Sequence, residues 1–323
     1  MLIKTDNKNC VKCKKPAKVF RKQSGQYLCH ECFTTSIEKV VSKTISKYNL
    51  YSQQDSLAVP LACHPNALVL IYLLQLRQSR TYKSNVIKVF IIDEGIKNYS
   101  KDKINSLVYF CKNLEISYEI ISFKDEIGMT LDDVIKLRKN DPNNSPNPCQ
   151  VCIMIQDHAI SRIMRNSRFN VLASPLDLSD ISRVFLYNLL KKRYKTITSL
   201  FSFPSFQVGK ILNFRIIHPL MRIPKNEVNL YAYLKGIDTR LNHCVYEKSF
   251  TDEFEETTSN FIDKCKNFSP EIEYNLFKSL EEISKILLKY RNNETFKFCE
   301  SCGTLMMIDG PCQFCKLIKG LKK

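Results

Sequence analysis

The stretch Val86-Ile-Lys-Val-Phe-Ile-Ile92 decides the fold, because it is an apolar run of the length that a buried strand has. Apolar residues then recur at helical spacing over residues 101–113, and a second strand pattern follows at Ser117–Ser122. A strand, a helix and a strand in this order are typical of two parallel strands joined by a crossover helix. The segment therefore predicts one unit of a parallel α/β sheet.

The same alternation continues on both sides of this unit, so we predict an α/β fold with a doubly wound, mostly parallel sheet. In such sheets ligands bind at the carboxyl ends of the strands. Further strands are expected at 57–61 and 169–173, and further helices at 66–78, 130–139, 150–165 and 178–192. Helical patterns outside the alternation cover 34–48, 225–236, 251–267 and 270–290, whereas 206–222 has no clear pattern.

Composition describes a globular chain. It has 323 residues and a mass of 37.6 kDa, with 44% hydrophobic and 25% charged residues, which excludes a disordered or fibrous protein. The longest apolar run, Ala67–Leu74, is far shorter than the roughly 20 residues that cross a membrane, and the N-terminus is too polar for a signal peptide. We therefore expect a cytoplasmic protein with no membrane partner. The 49 basic and 32 acidic residues give a net charge of +17, which favours a polyanionic partner such as nucleic acid.

The chain contains 14 cysteines, which would be unusual as disulfides in a reducing compartment, so their spacing indicates metal or catalytic sites. Eight of them form two quartets of paired C-x-x-C motifs near the two ends of the chain. Four thiolates surround a zinc ion tetrahedrally and leave no position for substrate, so we predict a structural zinc ribbon at each end. The quartets are Cys10, Cys13, Cys29 and Cys32, and Cys299, Cys302, Cys312 and Cys315.

A further C-x-x-C, formed by Cys149 and Cys152, follows a polar loop and opens a helical pattern. The positive end of a helix dipole lowers the pKa of a thiol, so this pair is a candidate for reactive or ligating thiolates. An inert pair at a helix start is the alternative. Cys111 and Cys265 lie in amphipathic helical stretches and are expected to be small buried hydrophobes.

Several short segments share the order and spacing of motifs in a known family. They are Ser24–Phe33, Asp93–Ile96, Thr130–Ile135, Pro219–Val228, Tyr231–Tyr233, Cys244–Tyr246 and the second cysteine quartet with 317–322. On these segments the chain resembles, over nearly its whole length, the PP-loop tRNA 2-thiolation proteins, which include cytoplasmic tRNA 2-thiolation protein 1 and the TtuA thiolases. The resemblance implies a fold like that of the PP-loop ATP pyrophosphatases, flanked by the two zinc ribbons.

The resemblance also implies a reaction and a set of ligands. Family members thiolate C2 of a tRNA uridine: ATP adenylates the carbonyl oxygen, and sulfur from a ubiquitin-like sulfur carrier displaces AMP. Cys149, Cys152 and Cys244 match the family's catalytic cysteines, which hold a [4Fe-4S] cluster or, in another scheme, carry a persulfide. Three thiolates leave one iron of such a cluster open. For Cys244 taken alone, a buried thiol is the alternative.

The nucleotide-binding motifs depart from the family pattern. Where family enzymes have S-G-G-x-D-S, whose backbone N–H groups cradle pyrophosphate, this chain has Ala62-Cys-His-Pro-Asn-Ala67. The family's G-H-N-x-D-D is matched by Pro175-Leu-Asp-Leu-Ser-Asp180, which keeps one of the two acids. We therefore predict that binding of ATP and magnesium is lost or severely weakened. His64 is expected to be structural or solvent-facing rather than catalytic.

A decayed loop also occurs in cytoplasmic tRNA 2-thiolation protein 2, which pairs with protein 1 in a heterodimer, and the chain resembles it in this respect. Protein 2 generally lacks the cluster cysteines that Cys149, Cys152 and Cys244 match here. The resemblance therefore leaves two assemblies open, a homodimer and a heterodimer with an ATP-competent paralogue.

Basic residues occur along the whole chain, so no single run identifies a tRNA site. The end of the helix predicted at 178–192 and the segment that follows Pro219 each group cations that could contact phosphates. A solvated basic face is the alternative for each group. The candidate tRNA-binding residues are Lys191, Lys192, Arg193, Arg222 and Lys225.

The predicted organisation has five parts. They are an N-terminal zinc ribbon (1–33), a linking helix (34–56), a PP-loop-like α/β domain (57–240), a helical segment (241–295) and a C-terminal zinc ribbon (296–323). Three functions remain open: an ATP-site-degenerate subunit of a tRNA thiolation complex, an active ATP-dependent tRNA 2-thiouridine synthetase with an unusual loop, and a zinc-ribbon RNA-binding protein without sulfur transfer. Iron with labile sulfide separates the third from the others, and ATP-dependent AMP release separates the second from the first.

Overall fold

The computed structural model describes residues 8–62, 64, 66–81, 83–138, 147–166, 168–199, 214–239, 244–246, 253–289, 296–307 and 311–321. No helix within these ranges is long and apolar enough to cross a bilayer. Cys63 and Pro65 of the altered loop lie outside the described residues, as do the residues at the predicted boundary 240/241 and residue 295. The five predicted segments therefore stay a prediction.

The described strands form three sheets. They are β1 (Val19–Arg21) and β2 (Gln26–Leu28) in an N-terminal hairpin, β3 (Ser56–Leu61), β4 (Val86–Asp93), β5 (Ser117–Ser122), β6 (Val171–Ala173) and β7 (Arg215–Ile217) in a central sheet, and β8 (Phe296–Phe298) and β9 (Leu305–Met307) in a C-terminal hairpin. The central sheet has the order β5-β4-β3-β6-β7, and each neighbouring pair in it is parallel. The predicted parallel α/β sheet is confirmed.

The strand order reverses at β3. From there the sheet grows through β4 to β5 on one side and through β6 to β7 on the other. The connections that leave β3 and β6 therefore run apart at the carboxyl edge and leave a crevice between them, which is where open α/β sheets bind their ligands. Ala62, His64 and Asn66 follow β3 at this edge, and residues 174–177 follow β6.

Strand β7 lies within 206–222, where no pattern was expected. It is only three residues long and begins with a charged residue, so its sequence carries no apolar alternation. Two contacts stabilise Arg215 in this strand: its Nε donates to the Leu50 carbonyl at 2.9 Å, and its guanidinium pairs with Asp55.

The helices surround the central sheet. They are α1 (His30–Lys47), α2 (Asn66–Arg80), α3 (Ser100–Asn113), α4 (Phe123–Ile127), α5 (Leu131–Arg138), α6 (Pro148–Asn166), α7 (Leu178–Leu190), α8 (Tyr194–Ser199), α9 (Lys225–Leu234), α10 (Glu253–Cys265), α11 (Ile272–Lys289) and α12 (Gln313–Leu321). Helices α4, α8 and α12 were not expected. Helix α1 begins earlier than the predicted residue 34, because Cys29 caps it by accepting a hydrogen bond from the backbone N–H of Cys32 at 3.4 Å.

Alternation along the strands creates one apolar core on each face of the sheet, which is the doubly wound arrangement. Leu57, Val59 and Leu61 of β3 join a core with helices α1, α2, α3, α7 and α9, whereas Ala58 faces a second core with α5, α6 and α12. The N-terminal hairpin packs on the first core and the C-terminal hairpin on the second. The two cysteine quartets therefore lie on opposite faces of the sheet. Cys111 is fully buried in the first core, as expected.

Gly95, in the turn after β4, sits where a side chain does not fit. Its φ is +70°, and an added Cβ would lie 2.6 Å from Cγ2 and 2.7 Å from Cβ of Thr130. Thr130 is itself fixed, because its Oγ1 donates to Asp133 at 2.6 Å. We expect Gly95→Ala to lower the free energy of unfolding by about 2–5 kcal/mol, from the left-handed conformation and from overpacking. Gly128→Ala is the matched control for urea unfolding: its φ is +78° but an added Cβ meets nothing within 4 Å, so about 1–2 kcal/mol is expected, and equal effects would contradict the close contact.

Candidate functional site

A compact group of four cysteines lies beside each terminal hairpin. Within each quartet all four sulfur atoms lie within 4.8 Å of one another. The Sγ–Sγ distances are 3.5 Å for Cys13–Cys29, 3.7 Å for Cys299–Cys315 and 3.5 Å for Cys302–Cys312. A tetrahedron with Zn–S bonds of about 2.3 Å has edges of about 3.8 Å, so each group has the size of a single-ion site. Each quartet could therefore hold a metal ion, and a tetrahedral set of four thiolates suits zinc or iron.

In each quartet, one cysteine has a lowered pKa and is therefore more readily a thiolate than the others. Burial raises the pKa of Cys10, but the backbone N–H groups of Cys29, Cys13 and Lys12 outweigh burial and lower it to about 6. The same balance lowers the pKa of Cys299 to about 7. Burial and the neighbouring sulfurs raise the pKa of Cys32 to about 12, because several thiolates this close repel one another. A bound dication would offset that repulsion.

A cavity of about 590 Å³ opens at the reversal of strand order. Residues from several parts of the fold line it, and they include the altered loop and the third cysteine group. The lining includes Ala62, His64 and Asn66 after β3, Cys149, Cys152 and Gln156 of α6, Asp180 and Arg183 of α7, Lys225 and Asn229 of α9, and Cys244 with Tyr246.

The three predicted ligand cysteines thus meet in one cavity, although Cys244 is distant from the other two in sequence. The Cys149 Sγ donates to the Tyr246 carbonyl at 3.4 Å, and the Tyr246 N–H donates to the Cys244 Sγ at 3.4 Å. Gln156 Nε2 donates to the Cys152 Sγ at 3.0 Å, which favours its thiolate. Among the described residues, these three do not form a group with all sulfurs within 4.8 Å. Wider spacing suits a multinuclear cluster, in which each thiolate binds a different iron, better than a single ion.

Tyr246 anchors the short segment that carries Cys244. Its hydroxyl donates to Asp132 Oδ1 at 2.7 Å, and Asp132 Oδ2 accepts from the backbone N–H of Lys97 at 2.9 Å. Burial and the hydrogen bond to Asp132 raise the pKa of Tyr246 to about 12, so the hydroxyl remains a donor at neutral pH. The sequence offered only an indirect signal for this pair, because both residues fall in segments that match the family.

The C-terminal hairpin and α12 pack against the face of α6 that points away from the central cavity. The rings of His158 on α6 and Phe314 on α12 stack with centroids 3.8 Å apart, and His158 Nδ1 lies 2.8 Å from Thr304 Oγ1. The Leu305 N–H donates to Ser161 Oγ at 2.9 Å. The segment that contains the second cysteine quartet therefore packs directly on the helix that contains Cys149 and Cys152.

In the altered loop, acceptors of the loop itself bind the backbone N–H groups that a phosphate would need. The N–H of Asn66 donates to His64 Nδ1 at 3.3 Å, and the N–H of Ala67 donates to the His64 carbonyl at 3.0 Å. The Asn66 side chain donates to Asp177 at 2.7 Å, and His64 Nε2 lies 3.4 Å from Asp180 Oδ2. The two altered nucleotide motifs are thus joined directly, and His64 has a structural role.

The two carboxylates of this network differ in pKa. Burial would raise the pKa of Asp180, but the hydrogen bond and charge of His64 and the charge of Arg183 outweigh it and lower the pKa to about 2. Burial and the neighbouring Asp180 raise the pKa of Asp177 to about 6. Asp177 also caps α7, together with Asp180 in a capping box. Asp180 is therefore ionised at neutral pH, and Arg183 pairs with it.

The five candidate tRNA-binding residues divide among three places. At the end of α7, the Lys191 Nζ lies 4.3 Å from the Phe254 ring centroid, the Arg193 Cζ lies 5.6 Å from the Tyr187 centroid, and Lys192 is exposed. Lys225 lines the central cavity. Arg222 lines a different cavity beside α1. The described contacts do not unite these groups into one site.

Comparison with known proteins adds a family context. Residues 9–34 match the family model described as 2-thiouridine synthetase TtuA, N-terminal LIM domain. The chain is 27% identical over 292 residues to a probable sulfurtransferase of Methanocaldococcus jannaschii, covering 90% of this chain and 82% of the relative. It is 23% identical to cytoplasmic tRNA 2-thiolation protein 1 of Candida glabrata, covering 94% and 83%.

A solved structure matches the whole fold. It is the U34-tRNA thiolase NcsA from Methanococcus maripaludis with its [4Fe-4S] cluster, which is 26% identical, covers 97% of this chain and 96% of that chain, and has a TM-score of 0.78. Fold and site together thus define a PP-loop-type α/β protein with a four-cysteine group at each end. Within that class, the chain is similar to proteins named for tRNA 2-thiolation.

Proposed function

We propose that this chain is a tRNA uridine 2-thiolation protein that binds tRNA, holds a [4Fe-4S] cluster through Cys149, Cys152 and Cys244, and acts as the ATP-site-degenerate subunit of a thiolation complex. One observation carries the proposal: the three cysteines line the same cavity as the altered nucleotide loop. The names of the relatives, which describe sulfur transfer and tRNA 2-thiolation, support the substrate and the reaction class.

The residues around the cysteines suit an iron–sulfur ligand set. Cys149 and Cys152 lie near the start of α6, where the helix dipole favours thiolates, and Gln156 donates to the Cys152 sulfur. Tyr246 and Asp132 fix the segment of Cys244, as outer partners of metal ligands do. A bound cluster supplies an iron with an open coordination position at which sulfur is held. A ubiquitin-like protein is the proposed sulfur donor.

The altered loop supports the assignment as a partner subunit. Phosphate binding needs free backbone N–H groups and a positive potential, but His64 accepts from the Asn66 N–H and Asp180 stands 3.4 Å from His64. Arg183 is paired with the ionised Asp180, so its guanidinium is not available to a phosphate. The activated uridine must then come from another subunit, so we propose a heterodimer with an ATP-competent paralogue rather than a homodimer.

Calorimetric titration of the anaerobically purified protein with Mg-ATP tests this assignment. We expect no heat of binding at enzyme concentrations that saturate a catalytically intact family member, which serves as the positive control. Zinc content and the thermal midpoint show that the titrated protein is folded. Binding comparable to the control would instead support the alternative of an active synthetase.

A different measurement distinguishes the third function, RNA binding without sulfur transfer, from the two sulfur-transfer functions. It predicts zinc and tRNA binding but no iron or labile sulfide after anaerobic purification. The convergence of the three cysteines favours sulfur chemistry over this alternative, because an RNA-binding module has no need of an additional thiolate cavity.

A further inference from the structure

A second concave site lies beside α1, away from the cysteine cavity. Its volume is about 400 Å³, and it shares none of its described lining residues with the central cavity. Those described residues combine cationic and hydroxyl side chains and include no acidic or aromatic residue. They are Ser42, Lys43, Ser46, Lys47 and Arg222.

The fold builds this site from two rigid parts. Ser42 with Ser46, and Lys43 with Lys47, are four residues apart on α1, so both pairs project from one side of the helix. The neighbouring Val41, Thr44 and Ile45 are buried and hold α1 in place. The positions of the lysine and serine side chains thus follow from the packing of the helix.

Arg222 reaches the site from the turn that follows β7. The residues on both sides of it, Met221 and Ile223, are each 1% exposed. Their backbone N–H groups donate to the His218 carbonyl at 3.1 Å and to the Leu220 carbonyl at 2.9 Å. The turn therefore holds Arg222 against α1 rather than leaving it on a mobile loop.

The charges in this cavity are not balanced by the described part of the protein. Lys43 and Arg222 form no ion pair or hydrogen bond with another residue in that part of the chain, and both lie in the cavity lining. Lys47 has an acidic neighbour, since its Nζ lies 3.9 Å from Glu281, which also accepts from the Tyr48 hydroxyl at 2.7 Å. Three cations thus face one carboxylate among the described residues, and an anion would offset the excess.

We infer that this cavity binds a phosphate group of the RNA backbone, an inference that rests on the proposed tRNA function. Arginine forms paired hydrogen bonds to phosphate oxygens, and lysine and serine contribute charge and further donors. Among the described lining residues no aromatic ring could hold a nucleotide base. The site therefore fits a backbone phosphate of a polymer better than a free nucleotide.

A phosphate bound in the cavity beside α1 would lie near the central cavity. Arg222 and Lys225 are three residues apart, so their Cα atoms are separated by at most about 11 Å. Lys225 lines the central cavity, and its backbone N–H donates to Ser179 Oγ at 3.1 Å. RNA held at Arg222 would therefore pass close to the mouth of the cavity that contains Cys149, Cys152 and Cys244.

Fluorescence anisotropy with labelled tRNA tests the inference in the full-length, zinc-loaded protein. We expect Arg222→Ala to weaken binding by about tenfold or more and to reduce the slope of log K against log salt by about 1. Lys43→Ala should reduce the slope similarly, whereas Arg222→Lys keeps the charge and should keep the slope. Lys101→Ala removes one exposed charge from α3 and is the matched control, with no change expected.

Three results would overturn the inference in distinguishable ways. If wild-type protein binds tRNA and Arg222→Ala binds with the same affinity and slope, the site is wrong while the proposed function stands. If wild-type protein does not bind tRNA, the proposed function fails and the inference fails with it. A calorimetric titration with inorganic phosphate covers the other source of the ligand. Phosphate binding that Arg222→Ala abolishes, with tRNA affinity unchanged, would make this a free-anion site and overturn the RNA assignment.

Discussion

Cys149→Ser should reduce the iron of the anaerobically purified protein from about four atoms per chain to near zero, with a parallel loss of labile sulfide. Serine is a poor ligand for iron in such a cluster, and three thiolates are the minimum set that the cavity provides. The two terminal quartets share no residue with the described lining of this cavity, so zinc should remain at about two atoms per chain. Metal analysis of the same sample measures both values.

Cys265→Ser is the matched control for this change. Cys265 is a half-buried thiol at the end of α10 and belongs neither to the quartets nor to the described lining of the central cavity, so iron and zinc should both be unchanged. Unchanged iron in Cys149→Ser would refute the cluster assignment. Loss of zinc together with iron would show that the substitution had unfolded the chain, and Cys152→Ser or Cys244→Ser would then have to give the selective loss of iron.

The fold was largely predictable because its decisive patterns are local. The apolar run of β4 and the helical spacing in α3 each identify an element without knowledge of the rest of the chain. Strand β7 could not be predicted, because Arg215 is stable there only through Asp55 and Leu50, which are distant in sequence. Short helices such as α4 were missed for a related reason: one turn carries too little periodicity to distinguish it from a loop.

The cysteines of the candidate site were easier to predict than the residues that hold them in place. The spacing of Cys149 and Cys152 is visible in the sequence, but the bond from Tyr246 to Asp132 joins residues more than one hundred positions apart. The altered loop shows the same limit. Sequence indicates that the family motif is absent, whereas only the structure shows that His64 and Asn66 connect to Asp180 and Asp177.

Lys103→Met should lower the free energy of unfolding by about 3–5 kcal/mol, because it leaves a buried carboxylate without its partner. The Lys103 Nζ lies 2.7 Å from each carboxylate oxygen of Glu94, and the two side chains are 1% and 0% exposed. A lysine is almost never fully buried unless it is paired, so the sequence did not predict this pair. Urea unfolding at neutral pH measures the loss.

The control is a more exposed pair of the same chemical type, between β4 and β5. Lys88 and Glu119 lie 2.6 Å apart but are 30% and 49% exposed, so Lys88→Met should cost less than about 1 kcal/mol. Similar losses for both variants would contradict the role of burial. The buried pair also bears on the site, because the Glu94 carbonyl accepts from the Leu131 N–H at 2.8 Å and α5 carries Asp132, the partner of Tyr246. We therefore expect Lys103→Met to lower iron retention as well, because Glu94 holds the start of α5, and α5 in turn holds Tyr246 beside Cys244.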